Sequence, residues 1–140
     1  MIDIINRQRT YPIPGTWRSF AERAFYFINP SKPDATIVFV SDYSIKKLNR
    51  QFRGQNSATD VLSFPTRAES FEAENQSNLG EVVISVERAA TQAKENGLTF
   101  NHEVQQLILH GLLHLCGYDH ETDEGEMNRL ELKLRRKLGI

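Results

Sequence analysis

Three of the four histidines lie within eleven residues, in the run HGLLHLCGYDH from His110 to His120. His110 and His114 are four residues apart, so a helix would present both imidazoles on the same face. Gly117 can adopt the left-handed conformation that ends such a helix, and the chain can then bring a third imidazole to the same point. Three neutral nitrogen donors with a fourth position open are typical of a catalytic zinc site. We therefore predict a metal site formed by His110, His114 and His120.

The chemistry of such a site depends on the charge that its ligands leave on the metal. Zinc is the default ion for three imidazoles, although nickel, cobalt or copper accept the same donors. Neutral ligands leave the full charge of the ion, which lowers the pKa of a bound water to about 7 and can neutralise a phosphate oxygen. The spacing resembles the HExxHxxGxxH signature of the metzincin proteases, but Gly111 stands where those enzymes carry a catalytic Glu. This argues against peptide hydrolysis.

Other residues near the motif have less specific interpretations. His102 lies at the predicted start of the helix and is expected to be an ordinary surface or core histidine. Asp119 precedes the third histidine, where its carboxylate would either orient an imidazole or cap the turn. Cys116 lies about 120–200° around the helix from His110 and His114, so we expect a small buried residue rather than a ligand.

Length and composition predict one soluble domain, residues 1–140, in the cytoplasm. Hydrophobic residues make up 39% of the chain and charged residues 25%. No apolar run approaches the ~20 residues of a membrane span, and the N-terminus lacks the layout of a signal peptide. The net charge of −1 is unevenly distributed, with +4 over residues 1–60, −9 over 61–126 and +4 over 127–140. The basic ends allow a local anion-binding surface but do not demonstrate one.

The pattern of apolar residues predicts a mixture of strands and helices. Strands are expected near residues 2–5, 35–40, 60–64 and 81–85, and helices near 16–29, 42–53, 86–97, 101–116 and 123–138. The fold class is therefore α/β or α+β, with a small mixed sheet of about four strands packed against helices, one of them a zincin-like metal helix. Pro65 suggests that the third strand lies at an edge or ends there.

The sequence also predicts the caps of two helices and the buried stripe of a third. Asn101 is expected to cap the helix that carries the histidines. Asp123 and Glu126 form a possible capping pair at the start of the last helix. The helix after the second strand is expected to bury one apolar stripe, formed by Ile45, Leu48 and Phe52.

Three blocks of the sequence resemble a known family. They are the histidine run, the segment from Leu48 to Gly54 that continues to residues 59–65, and the segment LGEVVIS that begins at Leu79. In this order and at these separations they are similar to the YbeY-like ribosomal RNA maturation factors. The resemblance spans roughly residues 35–125 and departs from the family at Glu81, where an Asp is usual. Glu81 keeps the negative charge on a longer side chain.

The resemblance implies a metal-dependent endoribonuclease, specific for single strands, that matures the 3′ end of 16S ribosomal RNA and acts in ribosome quality control. It implies one zinc ion per chain on the three histidines, and it implies RNA, ribosomal RNA and ribosomes or ribosomal proteins as partners. It also implies a functional role for Arg53, whose guanidinium could hold a phosphate bidentately and stabilise charge in the transition state. Without the resemblance, Arg53 would be interpreted as a solvated arginine at a helix end.

Further substrate contacts are weaker candidates. Lys46, Lys47 and Arg50 could extend a phosphate-contacting surface along the same helix as Arg53, or could form an ordinary solvated face. By analogy with the family, Ser63 and Phe64 could line the substrate groove, although Phe64 suits a core position equally well.

Two other functions share the same histidine ligands. A zinc hydrolase of a peptide or small ester would need no RNA surface. A non-catalytic ribosome-assembly factor would use the metal for stability only, so Arg53→Ala would leave its function unchanged.

Overall fold

The computed structural model of the chain describes residues 1–30, 34–66, 78–119 and 121–140. The strands are β1 (Ile2–Asn6), β2 (Asp34–Val40), β3 (Val61–Pro65) and β4 (Asn78–Ser85). The helices are α1 (Thr16–Ile28), α2 (Asp42–Arg53), α3 (Val86–Asn96), α4 (Phe100–Leu115) and α5 (Glu126–Leu138). The predicted α/β class is confirmed. None of the described helices has the length and apolar character needed to cross a membrane.

The four strands form one mixed sheet in the order β1-β2-β4-β3. β1, β2 and β4 run parallel, whereas β3 pairs antiparallel with β4 at one edge. Because β3 lies at the edge of the sheet, it pairs with another strand on one side only. Pro65 has no backbone N–H to donate and is therefore tolerated at the end of this strand. The sheet therefore places β3 beside the strand that leads directly into α3.

Helices cover the two faces of the sheet unequally. Residues of α1, α3, α4 and α5 join one large buried cluster with Ile37 and Phe39 of β2. On the other face, Ile45 of α2 packs against Val38, Val83 and their neighbours in a smaller cluster. β2 is consequently buried on both faces, which explains its largely apolar sequence.

The predicted apolar stripe of α2 is only partly confirmed. Ile45 is fully buried and Leu48 packs at the margin of the smaller cluster, but Phe52 is 60% exposed. The prediction for Phe52 is wrong because the end of α2 extends past this cluster. There the Phe52 ring meets Phe64 of the edge strand, with ring centroids 5.4 Å apart.

The N-terminus of α4 differs from the prediction by two residues. Thr99, and not Asn101, is the N-cap, and its side chain accepts a hydrogen bond from the backbone N–H of His102. Asn101 instead lies inside the first turn, where its Oδ1 accepts from the indole N–H of Trp17 at 2.6 Å. The side chain of Asn101, which suggested a cap, therefore makes a tertiary contact with α1. This contact gives the buried indole N–H of Trp17 a hydrogen-bond acceptor.

The start of α5 is three residues later than predicted, with Gly125 as its N-cap. Asp123 still serves the helix end, because its Oδ2 accepts from Met127 N at 2.9 Å. The predicted pairing with Glu126 is not formed, since Glu126 Oε2 accepts from the backbone N–H of Glu124.

Close packing of α4 on β4 requires a glycine at position 111. A Cβ there would lie 3.1 Å from Cγ2 of Val82 and nearer still to its Cγ1. Real side chains essentially never approach so closely, so a larger residue would force Val82 or the helix to shift. Position 111 therefore faces the core, and a glutamate at this position has no room to act as a base.

Candidate metal centre and active site

A cavity of about 460 Å³ opens between the end of α2, strand β3 and the C-terminal half of α4. Its lining includes Arg53, Ser63, His110, His114 and Asp119. These residues come from four separate parts of the chain. The fold thus brings the histidine motif and the arginine of the second sequence block to one place.

The two histidines of α4 meet at their Nε2 atoms. Nε2 of His114 lies 3.2 Å from Nε2 of His110, and the ring planes are 78° apart. Two nitrogens bound to a tetrahedral zinc at about 2.0–2.1 Å are separated by about 3.3–3.4 Å. The observed separation is therefore close to that of two ligands on one metal ion, and the pair fits such a group.

The other nitrogen of His110 contacts a carboxylate of α5. Nδ1 of His110 lies 3.0 Å from Oε1 of Glu131. An ionised carboxylate only accepts hydrogen bonds, so Nδ1 donates, and in the neutral ring the lone pair is then at Nε2. This is the tautomer in which His110 can bind a metal beside His114.

The charge of Glu131 is maintained by its surroundings. Burial raises the pKa of its carboxyl, but the hydrogen bond from His110 and the charges of His110, Arg135 and His114 outweigh burial. The net pKa lies below the ordinary value of a glutamate. Arg135, one turn further along α5, places its Nη2 3.7 Å from Oε1 of Glu131. Glu131 is therefore a carboxylate at neutral pH.

The turn after α4 has the predicted conformation. Gly117 has a φ of +95°, and its N–H donates to the carbonyl of His114 at 3.0 Å. His120, the predicted third ligand, lies outside the described residues. Within residues 1–30, 34–66, 78–119 and 121–140, no group of three or more His, Cys, Asp or Glu could hold a metal ion. The third ligand accordingly stays a prediction.

Ser63 connects the edge strand to the metal helix. Its hydroxyl donates to the carbonyl oxygen of Gly111 at 3.1 Å. Ser63 and Val61 alternate with Leu62 and Phe64 along β3, so they face α4 while the other two face the α2 side of the sheet. Ser63 thus lines the cavity, whereas Phe64 does not.

Arg53 reaches the cavity from the last residue of α2. Gly54 ends the helix in the left-handed conformation, and the chain then folds back along α2. The buried Asn49 holds this return, because its Nδ2 donates to the carbonyl of Ser57 at 2.9 Å and its own carbonyl accepts from Gln55 N. The exposed Arg53 side chain is therefore directed by the helix end and its turn.

The remaining candidates are distributed around the cavity and beyond it. Asp119 lines the cavity, and its Oδ1 accepts from Glu121 N at 3.0 Å, as in the turn-capping interpretation. Cys116 is half-buried and packs against the main core. Glu81 is exposed and lies on the α2 side of the sheet, beside Lys47.

The other basic residues of α2, which precede Arg53, do not line the cavity. Lys46, Lys47 and Arg50 instead line a separate shallow groove of about 330 Å³, together with Tyr43 and Asn56. Arg50 precedes Arg53 by about one helical turn, so the groove lies next to the cavity along α2.

Glu131 contacts His110, but the sequence interpretation did not single it out. It lies on the buried face of α5 that also carries Met127, Leu134 and Leu138, and only 8% of it is exposed. A carboxylate on an otherwise apolar helix face indicates that a polar partner is buried beside it. The sequence does not show which partner that is, because His110 is 21 residues away.

Comparison with known proteins agrees with this site. A model of the family described as Endoribonuclease YbeY matches residues 3–139. An Endoribonuclease YbeY of Nautilia profundicola is 47% identical over 107 residues, which are 76% of this chain and 73% of that protein. One of Geobacter metallireducens is 38% identical over 142 aligned residues, covering 99% of this chain and 94% of that protein.

A solved structure agrees as well. The solution structure of a Thermotoga maritima protein superimposes with a TM-score of 0.67 at 30% identity, covering 99% of this chain and 89% of the other. The three sequence blocks, the fold and the two-histidine geometry are thus found together with a family match over nearly the whole chain. The chain belongs to the Endoribonuclease YbeY family.

Proposed function

We propose that this protein is a zinc-dependent endoribonuclease that hydrolyses single-stranded RNA in the cavity between α2, β3 and α4. The endoribonuclease activity follows from its family. The metal identity, the ligand set of His110, His114 and His120, and the role of Arg53 are our assignments. The observation that carries them is that Arg53 and the two histidines line one cavity although they lie more than fifty residues apart.

In this proposal, the histidines would bind the metal and Arg53 would bind the phosphate. A bound zinc ion would supply Lewis acidity and activate a water at neutral pH. His110 and His114 would hold it through Nε2, with His120 as the third donor. Arg53 would bind two oxygens of the scissile phosphate and stabilise the charge that builds on them. The cavity is open, which suits an unpaired strand better than a stacked duplex.

The geometry of position 111 weighs against a peptidase. The HExxH enzymes use a glutamate at this position as general base, but here the position faces Val82 in the core. A small-ester hydrolase would not need a guanidinium in the cavity. Both alternatives therefore leave a feature of the site unexplained.

The proposal is tested by cleavage of a defined single-stranded RNA with metal-free protein and with protein reloaded with zinc. We expect cleavage to depend on zinc and a paired duplex of the same sequence to resist it. Casein with the same preparations should stay intact. Zinc-independent cleavage that persists in the His114→Ala variant would indicate a contaminating nuclease and leave the proposal without support.

The attacking nucleophile is a separate question with its own test. Either a water molecule or the ribose 2′-OH next to the scissile phosphate could attack. An RNA carrying a single 2′-deoxy nucleotide at the scissile position distinguishes them. Unimpaired cleavage assigns the attack to water, and loss of cleavage at that position alone assigns it to the 2′-OH.

We also propose ribosomal RNA in the cytoplasm as the natural substrate. The support is the family's relation to ribosomal RNA maturation and the basic groove on α2 beside the cavity. The 3′ end of 16S ribosomal RNA in cells that lack the protein provides the test. Unprocessed 3′ ends that only the catalytically active chain corrects are the expected result.

A further inference from the structure

Glu131 is a buried carboxylate in an apolar setting. Met127 and Leu134 flank it on the same face of α5, and its side chain is 10% exposed. A charge in such a place destabilises the fold unless hydrogen bonds and opposite charges compensate it. Among the described residues, Nδ1 of His110 lies 3.0 Å and Nη2 of Arg135 lies 3.7 Å from Oε1 of Glu131.

In the hydrogen bond between Glu131 and His110, the imidazole donates and the carboxylate accepts. Because Oε1 of Glu131 accepts the Nδ1 proton, Nε2 of His110 carries the lone pair and lies 3.2 Å from Nε2 of His114. The carboxylate therefore selects the imidazole tautomer and holds the ring at the angle at which both Nε2 atoms converge. A salt bridge that merely joined α4 to α5 would be satisfied by either ring nitrogen and would not require this convergence.

We infer that Glu131 is a positioning residue that fixes the tautomer and orientation of His110 and thereby raises the affinity of the site for its metal ion. This inference rests on the metal site proposed above. Carboxylates that hold a ligating histidine in this way commonly contribute about 10- to 100-fold to metal affinity. We expect a factor of similar size for Glu131. Arg135, whose Nη2 lies 3.7 Å from Oε1 of Glu131, helps to hold that oxygen in place.

Glu131→Leu provides the decisive variant because leucine fills the volume and matches the apolar face of α5. In the metal-free protein, two-dimensional 1H–15N spectra of the imidazoles should show His110 with its proton on Nδ1 in the wild type. In Glu131→Leu we expect a mixture of tautomers. Zinc affinity, measured by competition with a chelator of known affinity, should fall by about 10- to 100-fold. Glu131→Gln, which still offers an oxygen to Nδ1, should recover part of the loss.

The matched control is Glu95→Leu, which removes the same charge from an exposed position on α3. It should bind zinc as the wild type does. A Glu131→Leu protein with wild-type zinc affinity would overturn the inference, as would a Glu131→Gln protein as weak as Glu131→Leu. A wild-type protein that binds no divalent metal would instead contradict the proposed metal site itself, so the two failures are distinguishable.

Discussion

The two walls of the cavity are built differently. On the α4 wall, His110 and His114 are half-buried on a helix packed against the sheet, and Glu131 of α5 holds one of them. On the α2 wall, Arg53 is exposed at the last residue of a helix, and no salt bridge involves it among the described residues. One wall is held by packing and hydrogen bonds, and the other ends in an exposed side chain.

This difference assigns the two walls different tasks. Metal ligands must hold their geometry before the ion arrives, because a loosely held ligand loses affinity. A guanidinium that binds a phosphate can adjust as the substrate enters. We therefore expect changes on the α4 wall to alter metal binding or stability, and changes on the α2 wall to alter catalysis or RNA binding while metal binding persists.

The largest effect is expected from His114→Ala on the α4 wall. Loss of one of the three proposed ligands should abolish stoichiometric zinc binding and remove several kcal/mol of transition-state stabilisation, about a thousandfold or more in rate. Zinc content and RNA cleavage measure both effects. His102→Ala, at the other end of α4, is the control and should keep both properties. Full zinc occupancy and full cleavage in His114→Ala would show that this histidine is no ligand.

Arg53→Lys examines the α2 wall and is expected to have the next largest effect. Lysine keeps the charge but loses the planar fork that holds two phosphate oxygens. We expect single-turnover cleavage to slow by about 10- to 100-fold with zinc content unchanged. Arg18→Lys on the exposed face of α1 is the control. If Arg53→Lys cleaved RNA at the wild-type rate, a bidentate contact would not be needed.

Gly111→Ala tests whether the α4 wall depends on close packing. The added methyl would overlap Val82, at a cost of about 1–3 kcal/mol, of which the better helix propensity of alanine returns about 1 kcal/mol. Urea unfolding of the metal-free protein should show a net loss. The double variant with Val82→Ala should recover stability, and Gly15→Ala, where nothing lies within 4 Å, should be nearly neutral. A gain of about 1 kcal/mol in Gly111→Ala, the full helix propensity of alanine with no cost from a clash, would contradict the tight contact.

Arg50→Ala is expected to have the smallest effect, because its groove lies next to the cavity and not in it. Loss of one phosphate contact should lower the slope of log affinity against log salt by about 0.7 for single-stranded RNA. The rate at saturating RNA should stay unchanged. An unaltered salt slope would assign Arg50 to an ordinary solvated surface.

The fold and the helix that carries His110 and His114 could be predicted because their signals are local. The spacing of His110 and His114 and the glycine at 117 specify a helix, its face and its end within eight residues. β3 was predictable as an edge strand from Pro65. These features depend on backbone preferences and on periodicity, which a single sequence displays.

The errors arose where tertiary contacts override local preference. Asn101 has the right type for a cap, but its oxygen accepts from Trp17 of α1, and Thr99 caps instead. Phe52 continues a helical stripe, but it contacts the edge strand through Phe64 and stays 60% exposed. Glu131 looks like one more charge on a basic helix until α5 packs against α4. In each case the deciding partner is distant in the sequence.

The central claim is that metal binding and phosphate binding reside on separate walls of one cavity. The most direct test measures zinc stoichiometry and single-turnover RNA cleavage together in Arg53→Ala. We expect Arg53→Ala to bind one zinc per chain, as the wild type does, and to cleave RNA about 100- to 1,000-fold more slowly. Wild-type cleavage by Arg53→Ala would contradict the account, and so would a loss of zinc that accompanies the loss of activity.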